Sequence, residues 1–339
     1  MGKKLVLTGL VAVVIVSVVG LNFDFVGEES FEPVSPYNDV DWDESEVFRY
    51  DPHVHTGDNT HEEVFEAFKN NSYDAVAVVD NWEHKEVDYG DTEFLVVESL
   101  TVRHENYSED EDYAPHTKGY FSDGNYENKT FEEVSEEFEE HEGVRVFAHP
   151  SSFFYDGFPN RVSEDWFIQQ MEDYDHYLGI EVVNHVFEEN LVLFDTLLDH
   201  FGGDRPVYGL GVTDGQGLSE DMGIQPNPDG LYGMTKVVAE ELEEEEFKQA
   251  KLDGQMFWVL KEGERDLPEV EKVDVGEEGI RVETEAGRGV VRWVYGGETI
   301  EVGEEFDVET AEELGIDFVR FEILSDEGRN IIGSQGIFF

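Results

Sequence analysis

Two histidines, His53 and His55, are the first residues of this chain whose spacing could bind a metal ion. They end a stretch of strand-like residues, and side chains two positions apart in a β-strand point to the same side of the sheet. Two imidazoles on one side can bind a single transition-metal ion. Either histidine alone would be weak evidence, because a single histidine is more often a hydrogen-bonded structural residue.

Other side chains that can bind a metal stand where further strand-like runs end. We predict strands at 47–53, 75–80, 94–98, 117–121, 145–149, 179–184 and 207–214. Polar residues at or beside the ends of these runs are Asp80, Glu98, His116, His149, Asn184 and Asp214. Ligands of parallel α/β proteins collect at the carboxyl ends of the strands. We therefore expect these side chains to form one polar rim together with the two histidines.

Helical segments between the strands predict an α/β fold. Thr60 and Glu63 have the spacing of a capping box, which predicts that a helix begins beside them. Strands that alternate with helices indicate a parallel sheet, and seven buried-type strands favour a closed barrel. Residues 236–252 are predicted as a later helix, whose acidic run at 240–246 faces solvent.

The sequence around these residues resembles the PHP (polymerase and histidinol phosphatase) family of metal-dependent phosphoesterases. Residues 51–56 (DPHVHT) and 75–80 (AVAVVD) are similar to that family's first two strands. Segments similar to its later motifs follow in the same order, at 94–98, 148–150, 179–184 and 209–215. The resemblance covers about residues 46–260 and implies a distorted seven-stranded (β/α) barrel of PHP type.

The resemblance also implies ligands for two metal ions, with one carboxylate shared between them. Carried over by position, the first ion would be bound by His53, His55, Glu98 and Asp214, and the second by Glu98, His116 and His149. Neutral imidazoles combined with carboxylates suit Zn²⁺, Mn²⁺ or Fe²⁺ better than Ca²⁺. We therefore expect two divalent transition-metal ions as cofactors.

A third site, which some members of that family contain, is incomplete here. His61 matches one of its histidines, but Asn81 and Gln216 stand where the family has the others. Asparagine and glutamine are weak neutral ligands, so we expect this third site to be vacant. His84, three residues beyond Asn81, is an alternative ligand, although a histidine on a surface loop is the simpler interpretation.

Three further residues are candidates for a role in catalysis. Asp51 and Asp80 are placed to orient a histidine ligand, although each could instead cap a strand or helix. A phosphate group also needs a cation besides the metal ions, and Arg103, Lys118 and Arg161 lie in predicted loops at the rim. Arg161 is the first choice, with a surface ion pair as its alternative.

The resemblance implies that these residues form a hydrolase site that uses metal-activated water on a small or polymeric phosphoester. A binuclear site needs no nucleophilic side chain, and the sequence contains no cysteine and no Gly-x-Ser-x-Gly motif. Two alternatives remain open. One is a metal-dependent hydrolase of another bond, such as an amide. The other is a non-catalytic surface binding protein built on a degenerate PHP barrel.

The charge of the chain predicts its environment. Among 339 residues, 22 are Lys or Arg and 81 are Asp or Glu, so the formal net charge is −59. Such a chain lacks the basic surface that nucleic-acid binding requires. Self-repulsion would destabilise the fold in dilute buffer, whereas at 1 M salt the Debye length falls to about 3 Å. We expect a halophilic, archaeal-type protein; a calcium-loaded acidic surface is the alternative.

The two ends of the chain differ from its middle. Lys3 and Lys4 precede an apolar run, so residues 1–25 are predicted as a signal or membrane anchor, and 26–45 as a linker. The barrel is expected at 46–262 and would lie outside the cell, secreted or attached to the membrane. Short strand-like runs separated by turns predict a small β-sandwich at 263–339.

We expect the fold to be lost when the protein is moved from molar salt into about 50 mM buffer, where the acidic side chains are poorly screened. Far-UV circular dichroism before and after dialysis measures this. A spectrum that does not change would contradict the prediction.

Overall fold

The computed structural model describes residues 33–80, 93–103, 116–122, 129, 131–153, 162–184, 188–216, 231–262, 267–285, 288–325 and 330–339. The predicted anchor at 1–25 lies outside these residues, as do Asn81, His84 and Arg161. In the part of the chain that is described, no helix is long and apolar enough to cross a membrane.

Strands make up most of the described structure, and the helices lie between them or on their faces. The strands are β1 (Glu46–His55), β2 (Ala75–Val78), β3 (Leu95–Val97), β4 (Ser99–Arg103), β5 (His116–Tyr120), β6 (Val144–Phe147), β7 (Tyr177–Val183), β8 (Tyr208–Gly211), β9 (Gly215–Gln216), β10 (Leu231–Ala239), β11 (Met256–Glu262), β12 (Val270–Gly276), β13 (Gly279–Thr284), β14 (Val290–Tyr295), β15 (Glu298–Val302), β16 (Glu305–Asp307), β17 (Phe318–Leu324), β18 (Ile331–Gly333) and β19 (Ile337–Phe338). The helices are α1 (His61–Asn70), α2 (Phe131–Glu140), α3 (Glu164–Asp173), α4 (Glu188–Phe201), α5 (Glu244–Leu252) and α6 (Val308–Leu314). The α/β class is thus confirmed.

The strands that carry the predicted rim belong to two sheets. One sheet of 11 strands contains the order β15-β14-β17-β18-β11-β10-β1-β2-β3, and a five-stranded sheet has the order β4-β5-β6-β7-β8. The described backbone hydrogen bonds therefore do not form a closed ring of seven strands. Strand β5 is also antiparallel to both its neighbours, whereas the sequence predicted parallel strands.

Hydroxyl groups join the two sheets. On one side, Ser99 and Thr101 donate to the carbonyl oxygens of Val78 and Val79, at 3.0 and 2.7 Å. On the other side, Thr235 donates to the carbonyl of Gly211 at 2.9 Å. Side chains from both sheets share one apolar cluster that includes Phe48, Tyr50, Ala77, Val146, Leu178 and Leu210. The two sheets therefore enclose a common core, although they are not continuous.

An irregularity in β1 sets the direction of the first two histidines. Between Asp51 and Val54 the register of β1 against β2 shifts by one residue, so Pro52 and His53 lie in a β-bulge. Proline has no backbone N–H and is tolerated within a sheet at such positions. A bulge bends its strand and changes the direction of the side chains beside it.

The predicted capping box is confirmed, but the predicted helix at 236–252 is wrong over its first half. The Thr60 hydroxyl accepts a hydrogen bond from the Glu63 N–H, and the Glu63 carboxylate accepts one from the Thr60 N–H. Residues up to Ala239 instead belong to β10, which pairs with β1. Val237 and Val238 pack into different apolar clusters, so this strand is buried on both faces and its sequence has no alternating pattern.

The C-terminal strands continue the large sheet. Strand β18 pairs with both β11 and β17, so hydrogen bonds cross the predicted boundary at residue 263. A separate three-stranded sheet, β12-β13-β16, packs its Val282 and Phe306 into the cluster that contains Trp293 and Phe321. This packing is sandwich-like, but the division into domains at 46–262 and 263–339 stays a prediction.

A buried ion network connects α4 to the C-terminal strands. The Arg320 guanidinium contacts both carboxylate oxygens of Asp195, at 2.7 and 3.2 Å. It also contacts Glu322, which is paired in turn with Arg292. Arg320 is 1% exposed and Asp195 is 4% exposed, so removing one partner would leave the other charge buried.

We expect Asp195→Ala to lower the free energy of unfolding by about 3 kcal/mol, because Arg320 would lose one of its two buried carboxylate partners and keep only Glu322, which also pairs with Arg292. Asp199→Ala is the matched control, since Asp199 lies one turn later on α4 and is exposed. Urea unfolding in molar salt measures both variants. Equal unfolding midpoints for the two would contradict the importance of the network.

Candidate metal centre

Three metal-binding atoms converge at the end of β1. The Nε2 atoms of His53 and His55 lie 3.1 Å apart. One carboxylate oxygen of Asp214 lies 3.1 Å from His53 Nε2 and 3.6 Å from His55 Nε2. Atoms that share a tetrahedral ion on bonds of 2.0–2.2 Å are separated by about 3.4 Å. The three residues therefore already have the spacing of a ligand set. Among the described residues, they form a group of three whose ligand atoms lie close enough together to bind one metal ion.

The other nitrogen of each ring faces a carboxylate. His53 Nδ1 lies 2.7 Å from Glu181, and His55 Nδ1 lies 3.5 Å from Asp80. A carboxylate only accepts hydrogen bonds, so a neutral ring with its proton at Nδ1 would offer the Nε2 lone pair as a metal ligand. Without a metal ion, His53 Nε2 lies within hydrogen-bond distance of Asp214, and this contact favours the protonated ring. A metal ion would take the place of that proton, and the outer carboxylates would orient both rings as ligands.

Glu181, on β7, organises several parts of the site. One oxygen accepts from His53, and the other accepts from the His149 N–H at 2.7 Å and from the Asn184 side chain at 2.8 Å. The Asn184 amide also lies 3.4 Å from Asp214. Although burial raises the pKa of Glu181, the charge and hydrogen bond of His53 outweigh it, and the pKa is lowered. The residue is therefore a carboxylate at neutral pH.

Asp51 fixes the backbone on both sides of the ligand set. It accepts hydrogen bonds from the N–H of His53 at 3.1 Å and from the hydroxyl of Thr213 at 2.5 Å. Burial raises the pKa of Asp51 to about 7. Asp214, next to Thr213, has a φ of +50°, and His149 has a φ of +28°. Non-glycine residues in this region are strained and are concentrated at functional sites, which agrees with a site held by its surroundings.

Asp80 faces two of the predicted ligands. Its carboxylate accepts from the Thr56 N–H at 3.0 Å and also from the Thr56 hydroxyl. Burial raises the pKa of Asp80, but the hydrogen bonds from His55 and Thr56 outweigh it and hold the pKa at about 2. His61 Nε2 lies 4.0 Å from the same carboxylate and is not within the three-residue cluster.

The histidines of the site differ in their pKa. Burial and the charge of Lys118 lower the pKa of His53, but the carboxylates of Asp214 and Glu181 outweigh them, so that the pKa is raised. Burial lowers the pKa of His55, and it lowers that of His149 to about 4. The carboxylates that raise the pKa of His53 also attract a metal cation.

The structure does not bring together all the residues that were predicted to bind a second ion. The rings of His116 and His149 are 4.5 Å apart, and the His149 ring is 6.2 Å from that of His53. Glu98 lies at the other end of β4 and β5, where its carbonyl accepts from the Phe121 N–H. Besides burial, the charge of Glu98 raises the pKa of Glu244 at the start of α5. The number of ions therefore stays a prediction.

Some residues of the site were not assigned a role from the sequence. Glu181 belongs to the segment 179–184, which resembles a family motif. An acidic residue inside an apolar run was the sequence signal that could have identified it as a site residue. Thr213 gave no such signal, because threonine is common at strand ends. Arg161 lies outside the described residues, as does the side chain of Gln216.

Comparison with solved structures shows what the fold is similar to. A two-domain protein from Bacteroides vulgatus, which contains a predicted PHP-like metal-dependent phosphoesterase, aligns with a TM-score of 0.50 at 14% sequence identity. The alignment covers 90% of this chain and 98% of that chain. A candidate metal-dependent phosphoesterase from Bifidobacterium adolescentis aligns with a TM-score of 0.39 at 15% identity, over 52% of this chain and 91% of that chain. No family model and no curated protein matches the sequence.

The first of these alignments spans nearly the whole of both chains, so this chain and that protein share an overall fold. At 14% identity the similarity concerns the fold, and the chemistry must be argued from the site itself.

We expect Glu181→Gln to weaken metal binding about 10- to 100-fold, the usual effect of losing a group that orients a histidine ligand. Glutamine has one accepting oxygen, whereas Glu181 accepts from His53, His149 and Asn184. Competition with a chromogenic zinc chelator in molar salt measures the affinity.

The control is Glu172→Gln, because Glu172 is half-exposed and contacts His200 on the surface. Equal zinc affinities for the two variants would show that Glu181 does not support the ligand set.

Proposed function

We propose that this chain is a metal-dependent phosphoesterase whose ion is bound by His53, His55 and Asp214. The observation that carries the proposal is the convergence of three potential ligand atoms, close enough together to share one ion, in a described cluster backed by carboxylates. The fold shared with a protein that contains a predicted PHP-like metal-dependent phosphoesterase supports phosphoesters as the substrate class.

The chain's own residues prepare this site for hydrolysis. A divalent ion bound there would polarise a phosphoryl oxygen and lower the pKa of a water molecule. Glu181 and Asp80 hold the proton of each imidazole at Nδ1, so that Nε2 remains a ligand atom. Asp51 keeps the segment with Asp214 against β1. Because the His55 side chain is 22% exposed whereas that of His53 is fully buried, substrate enters from the His55 side.

His149 contributes a neutral ring beside the ligand set. Burial lowers its pKa to about 4, so its imidazole is unprotonated near pH 7. A neutral imidazole can accept a proton or donate an electron pair, whereas an imidazolium can do neither. We include His149 and its neighbour His116 in the substrate-binding part of the site.

The cellular setting is part of the proposal. Lys3, Lys4 and the apolar run after them support an exported protein that stays anchored in the membrane or is secreted. The formal net charge of −59 supports work in molar salt and gives no basic surface for nucleic acids. The substrate would therefore be a small or polymeric phosphoester outside the cell.

We expect Asp214→Asn to lose the bound ion and to reduce phosphoester hydrolysis by about 100-fold or more, because a neutral amide is a poor ligand for a transition metal. Metal content per chain and turnover of phosphomonoesters, phosphodiesters and amides are measured on the same samples, with and without a chelator.

Asp199→Asn is the matched control, since it makes the same chemical change on the exposed face of α4. Hydrolysis that survives both chelation and Asp214→Asn would refute the mechanism. Cleavage of amides but not phosphoesters would refute the substrate class.

A further inference from the structure

A buried lysine lies beside the metal-binding residues. On β5, His116, Lys118 and Tyr120 alternate along one side of the strand. Lys118 is 1% exposed, and its ammonium group donates to the hydroxyl of Thr101 at 2.9 Å. The Thr101 hydroxyl in turn donates to the carbonyl of Val79, the residue before Asp80. These contacts place the ammonium inside the fold, on the side where Asp80 and His55 meet.

The charge of Lys118 acts on the whole group of histidines. Its positive charge opposes protonation of His53, His55 and His149, although the nearby carboxylates leave the pKa of His53 raised overall. These three rings come from β1 and from the segment after β6, so the ammonium is close to both parts of the site. A positive charge on the buried Lys118 amine repels an additional cation near those rings.

The carboxylate expected to share a second ion is far from His116. In the register of β4 against β5, Arg103 is opposite His116, and the Glu98 carbonyl accepts from Phe121. Glu98 and Arg103 are five residues apart along the chain. At about 3.3 Å per residue of strand, that separation is about 16 Å. Glu98 and His116 therefore lie at opposite ends of this hairpin.

We infer that Lys118 takes the place of a second metal ion: its ammonium group and a single ion on His53, His55 and Asp214 together bind the phosphoryl group of the substrate. This inference rests on the proposed function. Lysine is a common phosphate-binding residue that acts as a point charge with three donors. Its hydrogen bond to Thr101 fixes the direction of the side chain.

The stoichiometry of metal binding tests the first half of the inference. Wild-type protein, loaded with Zn²⁺ or Mn²⁺ in molar salt and freed of excess metal, should hold one ion per chain. Asp214→Asn should hold none. Two ions per wild-type chain would overturn the inference without any need for a lysine variant.

Binding of inorganic phosphate to the metal-loaded protein tests the second half. Isothermal titration should show Lys118→Met weakening phosphate binding about 10- to 100-fold, the range for a hydrogen bond to a charged group. The same variant should still hold one ion, because Lys118 is not a ligand. Lys118→Arg, which keeps the charge, should bind phosphate more tightly than Lys118→Met.

Lys272→Met is the control for net charge, because Lys272 is surface-exposed and pairs only locally with Asp274 among the contacts described. Phosphate affinity that is equal in wild type, Lys118→Met and Lys272→Met would overturn the inference, as would no phosphate binding by the loaded wild type. If Lys118→Met does not fold, the wild-type metal count and the Lys118→Arg titration still decide.

The proposed phosphoesterase function can be refuted independently of the role of Lys118. A protein that holds one ion and binds phosphate through Lys118 but hydrolyses no phosphoester would keep this assignment and refute the phosphoesterase activity.

Discussion

The hydrogen bond between His53 Nδ1 and Glu181, 2.7 Å long and fully buried, is the contact on which the site depends. His53 belongs to the 11-stranded sheet and Glu181 to the five-stranded sheet, so this contact crosses between the two sheets. The same carboxylate holds the backbone of His149 and the side chain of Asn184. A buried carboxylate with these partners is stable only while all of them are in place, which makes the geometry of the site and the docking of the sheets a single requirement.

The parts of the fold that the sequence predicted correctly are those with strong local signals. Strands β1, β2 and β7 were predicted within a few residues because their apolar runs are short and end in polar residues. The start of α1 was predicted because a capping box depends only on residues three positions apart. The pairing of His53 with His55 follows from strand geometry, although the bulge that sets their final direction is a property of β1 against β2.

The incorrect predictions concern features that depend on contacts between residues distant in sequence. The antiparallel direction of β5 and the position of Glu98 arise from the β4–β5 hairpin, and no local pattern distinguishes this hairpin from two parallel strands. Strand β10 was mistaken for part of a helix because it is buried on both faces. Lys118 falls within the predicted strand 117–121 and was also counted among the cations of the rim, but its burial was not predicted, because lysine is usually solvent-exposed. Only the three-dimensional packing shows that it is buried.

The acidic surface and the buried site place opposite demands on an anionic substrate. A chain with a formal net charge of −59 repels a phosphoester at long range. At 1 M salt this repulsion extends only about 3 Å from the surface, whereas charges inside the fold are screened much less. Attraction must therefore come from groups that salt does not reach, and in the proposed site the buried amine of Lys118 and an ion on the ligand set would satisfy that condition. In dilute buffer the surface repulsion would regain its range, so we expect that substrate binding, as well as the predicted stability of the fold, depends on salt.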